Sequence, residues 1–400
     1  MVLTSNSSWM GTTLGEILEI FDYKRIPLSG THRKERQGGY PYYGASGVID
    51  YIDDYIFDGR YLLIAEDGEN LNSRKLPVAF SASGKFWVNN HAHIVRAIPG
   101  IAEDYFIFAW FVQANISGYI TGAAQPKLTQ ENLKRIALRL PPLPTQRKIA
   151  AILSAYDNLI ENNTRRIRIL EEMAQDIYRE WFIHFRYPGH QQARFTDSPL
   201  GRIPEGWEVV KLNDVCHLTM GQSPKSEFYN TNGIGLPFHQ GVTDFGDRFP
   251  AERLYCAVEA RIAEQGDILF SVRAPVGRIN IANMRMVIGR GLSAIRHKAG
   301  YQWFAYHLLK ENFKEEDTMG GGTIFKSVTK NDMERIVFML PVEALTQQFE
   351  QLVEPLDKHI ENLTKRNTTL RRTRDLLLPR LISGELDVSE LDIAVPEDVL

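Results

Sequence analysis

The sequence predicts an α+β fold in which two similar α/β domains are separated by a long antiparallel two-helix coiled coil, with an internal pseudo-two-fold repeat. Two observations lead to this prediction. Apolar residues recur at an alternating four-three spacing from Ile149 onward, which is the a/d seam of a coiled-coil helix. The same seam recurs 200 residues later in the same phase, and the segments before the two helices share one order of motifs.

Each predicted helix carries one Asn in its seam, Asn163 at a d position and Asn367 at an a position. In an antiparallel pair a positions face d positions, and a buried Asn pair fixes register at some cost in stability. We therefore predict that Asn163 lies beside Asn367. The alternative, two unrelated amphipathic helices, leaves the shared phase unexplained. The seams are Ile149, Leu153, Tyr156, Ile160, Asn163, Ile167, Leu170, Ala174, Ile177 and Trp181, then Phe349, Val353, Leu356, Ile360, Leu363, Asn367, Leu370, Arg374, Leu377 and Leu381.

The globular halves repeat one order of elements. Trp9 opens the first half and Trp207 opens the second, and strand-like runs, an aromatic-rich helix and a Leu-Pro stop follow in both. The aromatic-rich helices are predicted at 104–115 and 302–313. The predicted boundaries are a first domain at 1–143, a first long helix at 144–185, an extended linker at 186–206, a second domain at 207–343, a second long helix at 344–384 and a loosely ordered acidic tail at 385–400.

Bulk composition is that of an ordinary soluble protein, with 44% hydrophobic and 24% charged residues. The formal net charge of −3 argues against histone-like DNA binding but allows local basic surfaces. Cys216 and Cys256 lack the clustered spacing of a zinc site, so we expect buried thiols in a reducing cytosol. No basic-then-apolar leader opens the sequence, and the most apolar run, 105–112, is too short to cross a bilayer. We therefore expect a cytoplasmic location.

The sequence offers no convincing catalytic or metal site. It contains no GxxxxGK[ST] phosphate loop, no GxGxxG after a strand, and no Asn-Pro-Pro-aromatic or Asp-Pro-Pro-aromatic run. His91 and His93 alternate on a predicted strand, but their repeat counterparts Gly291 and Ser293 are not metal ligands, which favours a structural or DNA-facing role. The tripeptide 22–24 matches only the end of a nuclease signature, and three residues carry little information.

The loops of both halves instead combine basic residues with amides, aromatics and glycines. Arg and Lys reach guanine or phosphate, Gln and Asn suit adenine, and glycine lets the backbone approach a groove. A solvated loop is the alternative for any single residue, but the duplicated placement favours a nucleic-acid surface. The candidate DNA-binding residues are Lys24, Arg25, Arg33, Lys34, Arg36, Tyr42, Tyr43, Ser46, Gln125, Lys127, Gln222, Ser223, Lys225, His239, Gln240, Arg273, Arg278, Thr323 and Lys326.

Two such domains on a rigid spacer predict a two-part DNA target. A helix of about 37 residues is roughly 55 Å long, so antiparallel pairing would hold the halves apart around a pseudo-dyad, as in a dimeric repressor. The loops differ between the halves, for example YYGASG against FHQGVTD. We predict an asymmetric target whose two halves are separated by an unread gap.

These motifs resemble the specificity (S) subunit of type I restriction–modification enzymes over nearly the whole chain. The most specific stretch is PLGRIPEGWEVVKLNDV at 199–215, which resembles the usual entry to a second target-recognition domain. The run 121–153 is similar to the end of a first such domain passing into the central helix, and LPRLISGEL at 378–386 is similar to the end of the distal helix. One departure is Glu343-Ala344-Leu345, where the first repeat has Leu143-Pro144-Thr145.

The resemblance implies a non-catalytic subunit that supplies DNA sequence specificity to a complex. The long helices would dock two modification subunits, which bind S-adenosylmethionine and methylate adenine N6 in each half-site. Two ATP- and Mg-dependent restriction subunits would join for cleavage, so no cofactor is expected on this chain. Outward helix positions such as Arg165, Arg166, Glu171 and Glu172 fit a docking face or a solvated one. The alternative function is a bivalent DNA-binding repressor or interaction scaffold without an enzyme partner.

Overall fold

The computed structural model describes residues 8–122, 125–313, 318–319, 323–324 and 327–396. Within these ranges, side chains are described for every residue except 318–319 and 323–324. Contacts divide the chain into two units. The first unit contains Met1–Thr164 and Lys365–Leu400, and the second contains Arg165–Thr364. Each unit therefore combines one globular domain with one half of each long helix.

The first unit contains two four-stranded sheets and a two-stranded pair. Its elements are β1 (Met10–Thr13), α1 (Leu14–Ile17), β2 (Leu18–Ile20), α2 (Gly30–Glu35), β3 (Gln37–Gly44), β4 (Gly47–Ile52), β5 (Phe57–Asp58), β6 (Tyr61–Ala65), α3 (Asn70–Ser73), β7 (Ala79–Ala82), β8 (Lys85–Val88), β9 (Ala92–Ala97), α4 (Asp104–Gln113), α5 (Gln130–Arg135), β10 (Ala137–Leu140) and the start of α6 (Leu143–Tyr178). The strand orders are β2-β9-β6-β7 and β4-β3-β8-β5, and β1 pairs with β10.

The second unit repeats this plan with a five-stranded second sheet. Its elements are β11 (Phe195–Ser198), β12 (Gly201–Pro204), β13 (Glu208–Lys211), α7 (Leu212–Val215), β14 (Cys216–Met220), β15 (Tyr229–Asn230), β16 (Leu236–His239), β17 (Tyr255–Cys256), β18 (Ile262–Ala263), β19 (Ile268–Ser271), β20 (Ile279–Ile281), β21 (Met286–Ile288), β22 (Leu292–His297), α8 (Gln302–Asn312), β23 (Thr318–Met319), β24 (Thr323–Ile324), α9 (Lys330–Glu334), β25 (Val337–Leu340) and α10 (Glu343–Ile382). The orders are β14-β22-β19-β20 and β15-β17-β16-β21-β18, and β13 pairs with β25.

Strand β6 shows why an unbroken apolar run forms the centre of each domain. Successive side chains of a strand point to opposite faces. Leu62 and Ile64 enter the core beside α4, whereas Tyr61 and Leu63 enter an aromatic cluster on the other face. Both faces are covered, so all five residues are buried. Strand β19 does the same in the second unit. The predicted aromatic-rich helices are confirmed as α4 and α8.

The two long helices are antiparallel and paired in the predicted register. In the first unit Ile149 near the start of α6 shares a core with Leu381 near the end of α10. In the second unit the rings of Trp181, in the π-helical turn after α6, and Phe349 lie 6.1 Å apart. The Asn163 amide Nδ2 donates to Asn367 Oδ1 at 2.9 Å. The register prediction is therefore confirmed.

The segment 186–206 differs from the extended linker that we expected. It contains the β11–β12 hairpin, and Ile203 of that hairpin is buried in the core of the second unit. The Tyr187 ring lies 5.8 Å from the Trp207 ring. A few apolar residues in a polar, proline- and glycine-containing stretch are enough to fold it onto a core that composition does not reveal.

The acidic tail also differs from expectation, because its described part packs on the first unit. Val388 is 1% exposed within the core of that unit. Lys148 Nζ donates to the backbone carbonyl of Ser389 at 2.6 Å. The spaced apolar side chains of the tail therefore outweigh its acidic composition.

Cys216 and Cys256 are buried free thiols, as predicted, and burial raises the pKa of Cys216 to about 12. In the part of the chain that the structure describes, no helix combines the length and apolar character needed to cross a bilayer.

Candidate nucleic-acid interface

Each domain contains one parallel strand pair whose carboxyl ends lie side by side. Tyr43 of β3 is in register with Val88 of β8, and His239 of β16 is in register with Ile288 of β21. The same backbone hydrogen bond follows each strand pair. Asn89 N donates to the Tyr43 carbonyl at 3.0 Å in the first domain, and Gly289 N donates to the His239 carbonyl at 2.8 Å in the second. Ligands of open sheets commonly bind outside the carboxyl ends of parallel strands. We call these surfaces the reading edges, formed by residues 44–46 and 89–91 in the first domain and 240–241 and 289–291 in the second.

The chain returns to each reading edge after the aromatic helix. In the first domain Glu66 N donates to the His91 carbonyl at 2.9 Å, and Leu128 N donates to the Glu66 carbonyl at 2.7 Å. In the second, Val272 N donates to the Gly291 carbonyl and Val328 N to the Val272 carbonyl, both at 2.9 Å. This connection brings the predicted residues Gln125 and Lys127 to the first edge and Arg273 to the second. All three are exposed.

An ion-pair cluster supports the first reading edge. Asp22, Glu66 and His93 each offer a potential ligand atom within 4.8 Å of the others. Arg25 NH1 lies 2.5 Å from Glu66 Oε2 and Lys127 Nζ lies 3.2 Å from Glu66 Oε1. Burial favours a raised pKa for Glu66, but the Arg25 hydrogen bond and the neighbouring cations hold that pKa below its ordinary value. The carboxylates are already neutralised, so the cluster fits a structural ion pair rather than a metal site.

His93 has the structural role that the sequence favoured. The ring is 1% exposed, with Nδ1 2.6 Å from Asp22 Oδ2 and Nε2 2.8 Å from the Leu128 carbonyl. His91 is half-exposed at the reading edge, and its Nδ1 lies 2.8 Å from Asp67 Oδ2.

Three predicted DNA-binding arginines of the first domain are held by carboxylates. Arg25 belongs to the cluster above. Arg33 Nε lies 3.0 Å from Asp50 Oδ2, and Arg36 NH2 lies 2.9 Å from Asp53 Oδ1. The guanidinium groups of Arg33 and Arg36 also pack 5.3 Å from the Tyr42 ring centre and 5.1 Å from the Trp87 ring centre. Arg33 and Arg36 thus link the α2 segment to β4 and the loop after it, and Arg25 belongs to the ion-pair cluster; their assignment as DNA contacts stays a prediction.

Two further predicted contacts, Tyr42 and His239, are 0% exposed and cannot touch DNA in this structure. The Tyr42 hydroxyl accepts from Leu28 N at 2.9 Å, and burial lowers the pKa of His239. Both side chains point into the domain. Loop composition alone could not reveal that orientation.

The remaining candidates whose side chains the structure describes keep a surface position. Ser223 and Tyr43 are half-buried, and burial raises the pKa of Tyr43. Thr323 lies on β24 and its side chain is outside the described part of the chain, while Lys326 lies outside the described residues. The exposed candidates are Lys24, Lys34, Ser46, Gln125, Lys127, Gln222, Lys225, Gln240, Arg273 and Arg278.

Sequence reasoning missed Asn90 and Arg290, the exposed tips of the two reading edges. Arg290 lies between Gly289 and Gly291 in a tight connection between β21 and β22. A Gly-Arg-Gly run between two apolar strands was the available signal, because two glycines around one exposed cation indicate a closely packed turn.

A profile of the type I restriction modification DNA specificity domain matches residues 6–172 and 204–372. The repeated domains and their exposed edges thus define a DNA-specificity protein with two recognition domains. The chain belongs to the type I restriction–modification specificity subunit family. Subunits of this family are non-catalytic, and catalysis lies in partner subunits.

Individual relatives agree with the family assignment. The chain is 34% identical over 304 residues to the putative type I restriction enzyme MjaX specificity subunit of Methanocaldococcus jannaschii, covering 74% of this chain and 71% of that protein. It is 28% identical over 419 residues to the MjaIX specificity subunit of the same organism, covering 95% and 96%. The solved type I S subunit from M. genitalium has a TM-score of 0.63 at 17% identity, covering 96% and 98%, which supports the fold alone.

Proposed function

We propose that each domain reads one half of an asymmetric, two-part DNA site through its reading edge. One observation carries this proposal: the two domains present equivalent backbone edges with different side chains. Asn89-Asn90-His91 occupies the edge in the first domain, and Gly289-Arg290-Gly291 occupies it in the second. Because each base pair has its own pattern of donors and acceptors in the major groove, different side chains on one scaffold select different sequences.

The positive charge available to DNA differs from what the sequence indicated. Arg25, Arg33 and Arg36 are paired with carboxylates, and so is Lys127. Among the predicted residues of the first domain, Lys24 and Lys34 are the exposed cations without an ion-pair partner in the described part of the chain. Exposed lysines suit phosphate contacts, which position a protein on the duplex without reading sequence. The proposed division is phosphate contact by these lysines and base contact by the edge residues.

The proposal includes partner subunits that this chain recruits. Two modification subunits would dock on the outward faces of α6 and α10, where Arg165, Arg166 and Glu172 are exposed. Glu171 does not belong to that face, because its carboxylate lies 3.2 Å from Arg248 NH1. S-adenosylmethionine, ATP and Mg²⁺ would bind in the modification and restriction subunits, and the complex would act on DNA in the cytoplasm.

Deletion of the gene followed by sequencing of modified adenines across the genome tests this function. The expected result is loss of one methylated motif made of two unequal blocks around a gap. Affinity purification of the full-length chain should recover a larger methyltransferase chain. A methylome unchanged by the deletion, together with purification of the chain alone, would instead support the repressor or scaffold alternative.

A further inference from the structure

Gln240 lies at the second reading edge with its side chain exposed but held in place. Ser223 Oγ donates to Gln240 Oε1 at 2.8 Å. The same Ser223 Oγ accepts from the backbone N–H of Arg290 at 3.3 Å. The Ser223 hydroxyl therefore links the Gln240 side chain to the Arg290 backbone. This chain of two hydrogen bonds restrains the Gln240 amide at the edge.

Two glycines, Gly289 and Gly291, leave room for Gln240 at the second reading edge. A Cβ at Gly289 would lie 2.7 Å from Gln240 Oε1, and a Cβ at Gly291 would lie 2.5 Å from the Gln240 carbonyl. Either side chain would displace Gln240. The first domain has Gly44 and Asn89 at the corresponding places of its edge, so this seat for a glutamine is particular to the second domain.

Holding an exposed glutamine in one conformation costs side-chain entropy. Within the described part of the chain, Gln240 Nε2 donates to no protein acceptor, and Oε1 keeps its second lone pair. The exposed amide therefore keeps a donor and an acceptor lone pair available for a ligand. Adenine presents the complementary pair in the major groove, an acceptor at N7 and a donor at N6, which glutamine can bind with two hydrogen bonds.

We propose that Gln240 reads an adenine in the half-site of the second domain, and that Ser223 is a positioning residue that orients its amide. This inference rests on the proposed function. It specifies which base is read, an adenine, and which residue reads it, Gln240. The exposed Arg290 beside it adds positive charge at the same edge, which favours the approach of DNA.

Competition binding with the purified full-length chain, together with whatever subunits co-purify, tests the assignment. The probes are the duplex carrying the methylated motif and duplexes in which each base pair of either half is replaced in turn. The readout is the ratio of affinities for original and replaced duplexes, which does not depend on the folded fraction. For Gln240→Glu we expect the ratio at one A·T pair to fall from about tenfold or more to near unity, because a carboxylate cannot donate to N7.

The controls separate base reading from charge and from folding. Ser223→Ala should reduce discrimination at the same A·T pair without changing the preferred base, and Ser223→Thr, which keeps the hydroxyl, should restore it. Asn232→Asp adds the same charge at an exposed position of the second domain outside the candidate DNA contacts, and it should leave every affinity ratio unchanged. If Gln240→Glu binds too weakly to measure, the comparison of Ser223→Ala with Ser223→Thr tests the inference instead.

The inference is overturned if Gln240→Glu leaves every ratio intact, if the affected pair is G·C, or if Asn232→Asp reproduces the effect. If cells with the wild-type chain show no two-part methylated DNA motif, the proposed function itself is wrong. That result is obtained before any variant is made, so it is distinguishable from failure of the Gln240 assignment.

Discussion

Asp157 and Asp357 occupy the same position in the two long helices, but each binds an arginine from a different part of the fold. In the first unit Arg374 NH1 of α10 lies 2.5 Å from Asp157 Oδ1, and the Tyr105 hydroxyl of α4 donates to the same carboxylate. In the second unit the place of Arg374 is taken by Ala174. Asp357 is instead paired with Arg248, which belongs to a loop of the globular domain. The second domain is thus fixed to its helices by a buried ion pair and the first by a tyrosine.

Arg248→Met should destabilise the second unit by about 3 to 5 kcal/mol, because it leaves the carboxylate of Asp357 buried without its partner. Asp357 is 1% exposed and Arg248 is 2% exposed. The matched variant Arg374→Met should cost on the order of 1 kcal/mol, since the Arg374 and Asp157 side chains are 29% and 32% exposed. Denaturant unfolding monitored by hydrogen exchange in each unit measures both. Equal losses would contradict this account.

The hydrogen-bonded pair of Asn163 and Asn367 predicts a specific pattern of mutational coupling. Asn367→Leu should destabilise the first unit by about 1 to 3 kcal/mol, because it removes the acceptor of Asn163 Nδ2 and the 3.2 Å hydrogen bond from Asn367 Nδ2 to Thr164 Oγ1. Replacing both Asn residues with Leu should recover that loss or exceed wild-type stability. A double-mutant cycle from denaturant unfolding gives the coupling. Additive effects would show that the pair is not a unit.

His297 predicts acid sensitivity of the second unit. Burial lowers its pKa from 6.5 to about 4, and neutral Nδ1 accepts from Ala299 N at 3.2 Å and Tyr301 N at 3.3 Å. Between these pKa values the unfolded chain binds the proton more strongly, so stability should fall as the pH drops from 6.5 to 4. His297→Gln should flatten that slope. Melting temperatures at half-unit pH steps test it, and an unchanged slope would reject the assignment.

Glu103 predicts that the stability of the first unit depends on pH with the opposite sign. Burial raises its pKa from 4.5 to about 7, against two helix-capping hydrogen bonds from Tyr105 N and Phe106 N that favour the charged form. The folded state holds the proton more strongly, so stability contributed by this group is present below pH 4.5 and is lost as the pH rises through 7. Glu103→Gln should remove this dependence in hydrogen-exchange measurements of the first unit. A variant as pH-dependent as wild type would argue against it.

Lys34 and Arg33 are neighbours with different expected effects on DNA binding. Lys34 is exposed and has no ion-pair partner among the described residues. Lys34→Ala should weaken binding to all sequences and reduce the salt slope by about one. Arg33→Ala should mainly lower the melting temperature, because it breaks the Asp50 ion pair and a 2.9 Å hydrogen bond to the Leu28 carbonyl. Salt titrations and thermal melts on both variants separate the roles.

The helices were more predictable than the candidate interface. A heptad seam depends on residues close in sequence, and one Asn in each helix was enough to set the register of Asn163 against Asn367. Arg25, Arg36 and Tyr42 were assigned to DNA because loop composition looks the same whether a side chain meets water or a distant partner. Arg36 meets Asp53 and Tyr42 packs in a core, and neither relation has a local periodic signal.

The amino-acid sequence by itself determined the duplication, the antiparallel pairing of the helices and the family, because repeats, periodicity and contiguous motifs are properties of the chain's order. Only the tertiary structure decided which cations are free, that the tail and the supposed linker are packed, and that Ser223 holds Gln240. Those outcomes depend on side chains that folding brings together from separate strands. The energies of those side-chain contacts depend on burial and hydrogen-bond geometry, which cannot be inferred from any single stretch of the sequence.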